Sequence, residues 1–389
     1  MPNTINSALV DRMYAMGLKA LRRQTSILKY VTTFEKEVMD SSFRGDTVVV
    51  PIPSQRSDSD VTDVIPSNTP PAPSDITPRF ATVTLNNWKK VNFALTDFEV
   101  SRLQEGTMTD EFSGAMDVLA GNIISSVMSN FRGIHQFAGT AGTTPFASNT
   151  AVVQSARRLL NRSGAPMENR ALILNFDADA NSIGLGVFQQ YLQKGDVDTL
   201  REGTIKRALG FDWAVDGYLP SFIGGTLSNG TVKAALVNKA NVAIGDATVP
   251  IDSATLTGTI VVGDLFTVAG DSQQYVVTAN ATASGNAIAS MAFSPSARVA
   301  WADNSAITFV ANHDIAGLAL HKQAIAFASK PLDDVTIQGG SEIRQISDPM
   351  SGLTLCLEIS RQYKQTVAEF SCLWGSTLVR PECAVRILG

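Results

Sequence analysis

Cysteine is scarce: the 389-residue chain has three, Cys356, Cys372 and Cys383, with no C-x-x-C spacing among them. An odd number gathered near one end builds neither a disulfide framework nor a four-ligand zinc site, so they read as reduced, small apolar packing residues. Charge is scarce too, at 17% of residues against 44% hydrophobic. That balance excludes a disordered chain and implies much buried or subunit-covered surface. A net charge of -5, with the basic pairs Lys89-Lys90, Arg22-Arg23 and Arg157-Arg158 isolated from one another, argues against a protein built mainly to hold nucleic acid. No apolar run is long enough to span a membrane, and the N-terminus interleaves charges with its apolar residues. The chain is therefore expected in a cytosol-like compartment, away from membranes.

Catalytic signatures are missing as well. The histidines His135, His313 and His321 have no metal-ligand spacing, no G-x-S-x-G elbow or phosphate-binding glycine loop occurs, and Gly184 with Gly186 lacks the third glycine of a dinucleotide fingerprint. Asp177 and Asp179, in DADA after a strand, are the best candidates for a divalent ion and hence for a metal-dependent enzyme. The same pair suits the start of a helix, which is the preferred reading. Arg44-Gly45-Asp46 spells an adhesive tripeptide that chance supplies readily, and Asp58, Asp60 and Asp63 lack the glycine and final glutamate of a calcium loop. No cofactor, no metal and no catalytic residue is expected.

What is present is an order of elements. Leu9, Met13, Met16 and Leu21 recur at helical spacing in an amphipathic arm whose other positions hold Asp11, Arg12, Lys19, Arg22 and Arg23. The β-branched run 46–53 and the segment 80–95 predict two sides of a long hairpin. Between them, Ser54 to Arg79 holds five of the sixteen prolines and few large apolar residues. Such a stretch cannot make its own core, so a neighbouring subunit is its simplest support. Phe112, Met116, Leu119, Ile123, Val127 and Phe131 then lie on one stripe of a long helix over 107–131. A second helix over 149–163 with an Asn149 cap, a strand from Ala171 and a helical segment from Asp177 follow.

From Gly224 to Ala311 only eight of 88 residues are charged, and short β runs punctuated by glycine predict an inserted small barrel or sandwich. Longer strands close the chain. The fold class is α+β, a long helix on an antiparallel sheet. Its expected divisions are an arm at 1–42, a hairpin at 43–98, a helix-bearing domain at 99–222, the β insertion at 223–311 and a return with the terminal sheet at 312–389.

This order, with REGTIKRALGFDWAVDGYLP before the insertion, VVGDLFTVAG inside it, NHDIAGLALHKQAIAFASKPL after it and LWGSTLVRPECAVRIL near the end, resembles the major capsid proteins of tailed bacteriophages. The likeness is to the Hong Kong 97 fold, with its N-arm, E-loop, spine helix and A-domain, and within it to the P-twenty-two type with an inserted β domain. The resemblance implies hexamers and pentamers of an icosahedral procapsid assembled in a bacterial cytoplasm. It also implies a separate scaffolding protein, a portal protein, non-specific contact with packaged DNA and room for a decoration protein. Arg56, Asp58, Asp60, Asp63 and Arg79 become the E-loop interface, and Asp11, Arg12, Lys19, Arg22 and Arg23 an arm facing scaffold or DNA. Ser54 to Arg79 has no lysine, so isopeptide crosslinking through that loop is disfavoured. A tail-tube or adhesive virion protein is the competing structural reading.

Overall fold

The computed structural model describes residues 26–34, 47–52, 79–96, 98, 105–190, 201–239, 241–330, 341–347 and 352–389. A single-turn helix Ser26–Tyr30 leads into β1 (Thr32–Phe34), and β2 (Thr47–Ile52), β3 (Arg79–Thr84) and β4 (Asn87–Thr96) follow. Helix α1 (Glu105–Met128) continues as a tighter turn to Gly133, and β5 (Phe137–Ala138), α2 (Ala151–Arg162), β6 (Arg170–Leu174), α3 (Phe176–Gly184) and α4 (Gly186–Gln189) come next. After β7 (Arg207–Ala208), β8 (Phe211–Val215) and β9 (Ser221–Phe222) the insertion runs through β10 (Ala234–Val237), β11 (Asn241–Val242), β12 (Thr248–Asp252), β13 (Thr259–Ile260) and β14 (Leu265–Val268). It continues in β15 (Gln274–Val277), β16 (Ala281–Thr282), β17 (Ala287–Ser294), β18 (Trp301–Ala302) and β19 (Ala306–Phe309). The chain closes with β20 (His313–His321), β21 (Ile325–Ser329), β22 (Ser341–Ser347), β23 (Thr354–Gln362), β24 (Gln365–Leu378) and β25 (Ala384–Leu388).

The architecture is α+β, but one antiparallel sheet becomes two mixed ones. A six-stranded sheet runs β1-β21-β24-β23-β22 with β4 along the other side of β24, and a seven-stranded sheet runs β5-β25-β20-β6-β8-β7 with β9 beside β20. β1 pairs parallel to β21, β5 to β25 and β6 to β8. The physical reason is covering: β6, β21 and β25 are buried at every position, as strands with both faces covered are. β23 instead alternates along much of its length, with Leu355, Leu357 and Ile359 buried.

Helix α1 lies on the first sheet because Met116, Leu119, Ala120, Ile123, Ile124 and Val127 recur at three- and four-residue steps and bury one face against β4 and β24. Its α-helical part ends at Met128 and the last turn to Gly133 tightens, so the predicted end at Phe131 falls inside the tighter turn. α2 begins at Ala151, two residues past the predicted cap, although the Asn149 side chain does accept the Ala151 N–H at 3.0 Å. The segment 80–95 is two strands, broken at Leu85-Asn86, because the buried Leu85 side chain packs beneath the hairpin while β4 turns away to join β24. Six strands of the insertion, β10-β12-β17-β15-β14-β19, close into a barrel around its own core.

Candidate assembly surfaces

The predicted hairpin exists: β2 and β3 pair antiparallel from Thr47↔Thr84 to Ile52↔Arg79. Val48, Val50 and Val83 point one way, onto Ala326 and Ala328 of β21 beside Leu373 and Val379. The fit needs a glycine. A Cβ on Gly375 would sit 2.1 Å from the Thr84 carbonyl oxygen, so only glycine lets the stem cross β24 at this distance. Thr377 Oγ1 then donates to the Thr82 carbonyl at 3.2 Å. The other face of the stem is open, with Phe80 56% exposed.

Of the residues assigned to the hairpin interface, Arg79 forms the last pair of the stem. Arg56, Asp58, Asp60 and Asp63 lie outside the described residues, as do Asp11, Arg12, Lys19, Arg22 and Arg23 of the arm. Two further surfaces are open. Among the described residues β1, β4 and β22 are the outer strands of the first sheet, each paired on one side only, and Trp88 on β4 is 63% exposed. Lys90 on the same strand donates to Glu369 at 2.8 Å. The β23–β24 turn thrusts Tyr363 into solvent.

The barrel is pinned to the body by polar contacts that sequence reading missed. Arg386, fully buried in β25, donates through Nη1 to the Gly263 carbonyl in the barrel and through Nη2 to the Arg132 carbonyl after α1, both at 2.9 Å. Its guanidinium lies 5.1 Å from the Phe131 ring centre and 5.9 Å from that of Phe222. Burial lowers its pKa to about 9, against the pull of Asp264. Asp264 in turn accepts from Lys233 Nζ at 2.6 Å and from the Val261 N–H at 2.9 Å. The Gln274 side chain imitates a strand, accepting the Phe137 N–H at 2.9 Å and donating to the Phe137 carbonyl at 3.0 Å. Arg386 was visible in the sequence as a lone charge inside the apolar run AVRIL; Gln274 carried no signal.

Asp177 and Asp179 fall in the first turn of α3, where Asn175 Oδ1 caps the helix by accepting the Ala178 N–H at 2.8 Å. Burial raises the Asp179 pKa, and no cluster of three metal-ligating side chains occurs among the described residues. The three histidines are buried, and burial lowers each pKa, that of His135 to about 4. Cys372 and Cys383 are buried thiols in the core, and burial pushes Cys372 up to about 12. This is the packing role expected of them.

No family model matches the sequence, and no curated protein matches it. Among solved structures, the chain is similar to one of Mycobacterium phage Che8, at 12% identity over 88% of this chain and 85% of that one, with a TM-score of 0.45. It is similar to the capsid of the cyanophage P-SCSP1u, at 14% identity over 92% and 86% of the two chains and a TM-score of 0.46. A virus-like particle from Pyrococcus furiosus overlaps 97% of this chain and 98% of its own at 10% identity and a TM-score of 0.41.

Proposed function

We propose that this chain is the major capsid protein of a tailed bacteriophage. It is a structural subunit that joins copies of itself in hexamers and pentamers of an icosahedral head around double-stranded DNA. The observation that carries the reading is the hairpin. Its stem is fixed to the sheet through Val48, Val50 and Val83, yet the residues it carries, 53–78, are too polar and proline-rich to bury a core of their own. A segment of that kind acquires its contacts from another subunit. The one-sided strands β4 and β22 support the same reading, because an outer strand offers a row of backbone donors and acceptors to a further chain.

A separate scaffolding protein and a portal protein are the partners that the family resemblance suggests, and the virion is the corresponding location. The test is to produce the chain with and without residues 55–78, beside its scaffolding partner, and to image the products by electron microscopy. Closed shells from the full chain and folded, unassembled protein from the deletion are expected. A stable, monodisperse monomer in both cases overturns the reading, and rings or tubes favour a tail component instead.

A further inference from the structure

Beside β8 a groove of about 550 Å³ gathers Lys29, Lys206, Arg207 and Lys322 around the single carboxylate of Asp212. The cations come from three distant segments: the turn before β1, the entry to β7 and the turn between β20 and β21. A net positive groove stands out in a chain whose formal charge is -5. Hydrogen bonds fix its walls. Thr32 Oγ1 donates to the Lys322 carbonyl at 2.8 Å, the Lys322 N–H donates to the Asn169 carbonyl at 3.3 Å, and Trp213 Nε1 donates to the Ala208 carbonyl at 3.0 Å.

The charges are only partly spent. Arg207 lies 3.8 Å from Asp212 in an exposed pair that holds little energy, whereas Lys206 is already engaged, 3.5 Å from Glu202. Among the described residues no carboxylate pairs with Lys29 or Lys322. The aromatic rings of the groove are not open anchors: Trp213 is 8% exposed and packs on Phe146 and Phe188, and the Lys29 ammonium covers Tyr30 at 4.7 Å. A protein partner concentrates its affinity in buried aromatic and apolar anchors, which this groove does not provide. A phosphodiester backbone needs cations alone.

We propose that this groove holds the phosphate backbone of double-stranded nucleic acid without reading its sequence. The proposal depends on the shell reading only for the source of the duplex, which would then be the packaged genome. Its affinity is weak, as suits an acidic protein that must release what it touches.

The experiment measures binding of a fluorescently labelled, random-sequence DNA duplex to the unassembled full chain by anisotropy between about 50 and about 200 mM salt. Three phosphate contacts, from Lys29, Arg207 and Lys322, predict a slope of log affinity on log salt of about -2.7, and the paired substitution Lys29→Ala with Lys322→Ala predicts about -0.9. Arginine at both positions should restore the slope, whereas Lys239→Ala in the barrel should leave it unchanged. An unchanged slope in the double alanine variant, with its unfolding curve intact, overturns the proposal. So does polyglutamate displacing the duplex as well as unlabelled duplex does at equal charge, which would assign the groove to an acidic polypeptide. Shells that form normally while these slopes fail would sink the groove and spare the shell.

Discussion

The barrel and the hairpin are both excursions from the same pair of sheets, and they are held in opposite ways. The barrel closes its backbone ladder and fills its interior with Phe266, Tyr275, Phe293, Trp301 and Phe309, whose rings meet at centroid distances between 5.1 and 5.8 Å. The hairpin pairs two strands and rests Val48, Val50 and Val83 on a neighbouring sheet. A closed excursion supplies its own apolar burial and needs the body only for position; an open one borrows burial from whatever it touches. That difference is why assembly is sought at the hairpin and not in the barrel core.

The strongest way to break this comparison is Phe266→Ala. The ring stacks on Tyr275 at 5.4 Å and meets Phe309 at 5.5 Å, so its loss should cost about 3–5 kcal/mol. If the barrel is self-contained, hydrogen exchange should accelerate in β10 to β19 while β2 and β3 keep their protection. Equal loss of protection in both regions would show that the barrel is part of one cooperative core.

Arg386→Met tests the seam between the barrel and the body at about 3 kcal/mol, because methionine fills most of the space but leaves the Gly263 and Arg132 carbonyls buried without a donor. Here the barrel should keep its own protection and lose its position, seen as faster exchange at the Phe137 N–H alone, whose acceptor is the Gln274 side chain. A stability change within experimental error would mean that the desolvation cost of the guanidinium cancels its two hydrogen bonds.

Acid should reach the same seam. His135, next to Gln136 beneath the barrel, is held neutral with a pKa of about 4, mainly by burial, with Glu382 opposing and Arg386 adding to the shift. Its folded pKa lies below the unfolded value, so the unfolded chain takes the proton first. The corresponding stability is complete above pH 6.5 and is lost as pH falls toward about 4, by about 3 kcal/mol. His313, buried against Phe222, shifts in the same direction. Denaturation midpoints between pH 7 and pH 4 should therefore fall steeply, and His135→Gln should flatten the curve. An unaltered curve in that variant would place the acid sensitivity elsewhere.

Sequence reading recovered what periodicity and composition encode. The stripe from Met116 to Val127, the β-branched run of the stem and the drop in charge after Gly224 each report which face is buried or whether a segment can hold a core. They do not report partners. Nothing in Ala171 to Leu174 says that β6 runs parallel to β8, and β22, SEIRQIS, has too few apolar residues to announce a strand that exists because β23 pairs with it at every position. The basic groove was invisible for a similar reason, since Lys29, Arg207 and Lys322 meet only after three segments fold together. The hairpin was legible as a problem, a stretch unable to support itself, while Gly375, the residue that seats its stem, lies far along the chain.

Gly375→Ala is the mildest of these changes and bears most directly on the open excursion. The added methyl meets the Thr84 carbonyl oxygen at 2.1 Å, which no rotamer can relieve, so the stem must lift from β24. Overpacking of this kind costs about 1–3 kcal/mol, less than emptying the barrel core because the stem has few apolar contacts to lose. Protection should disappear at Val48, Val50 and Val83 and persist throughout the barrel, the reverse of the Phe266→Ala pattern. On the shell reading the variant should stay folded and fail to assemble, because the segment carried by an unfixed stem has no set place from which to meet a neighbour. Normal shells from a chain whose stem has lost its protection would mean that the hairpin's anchorage is dispensable, and with it the observation on which the shell reading rests.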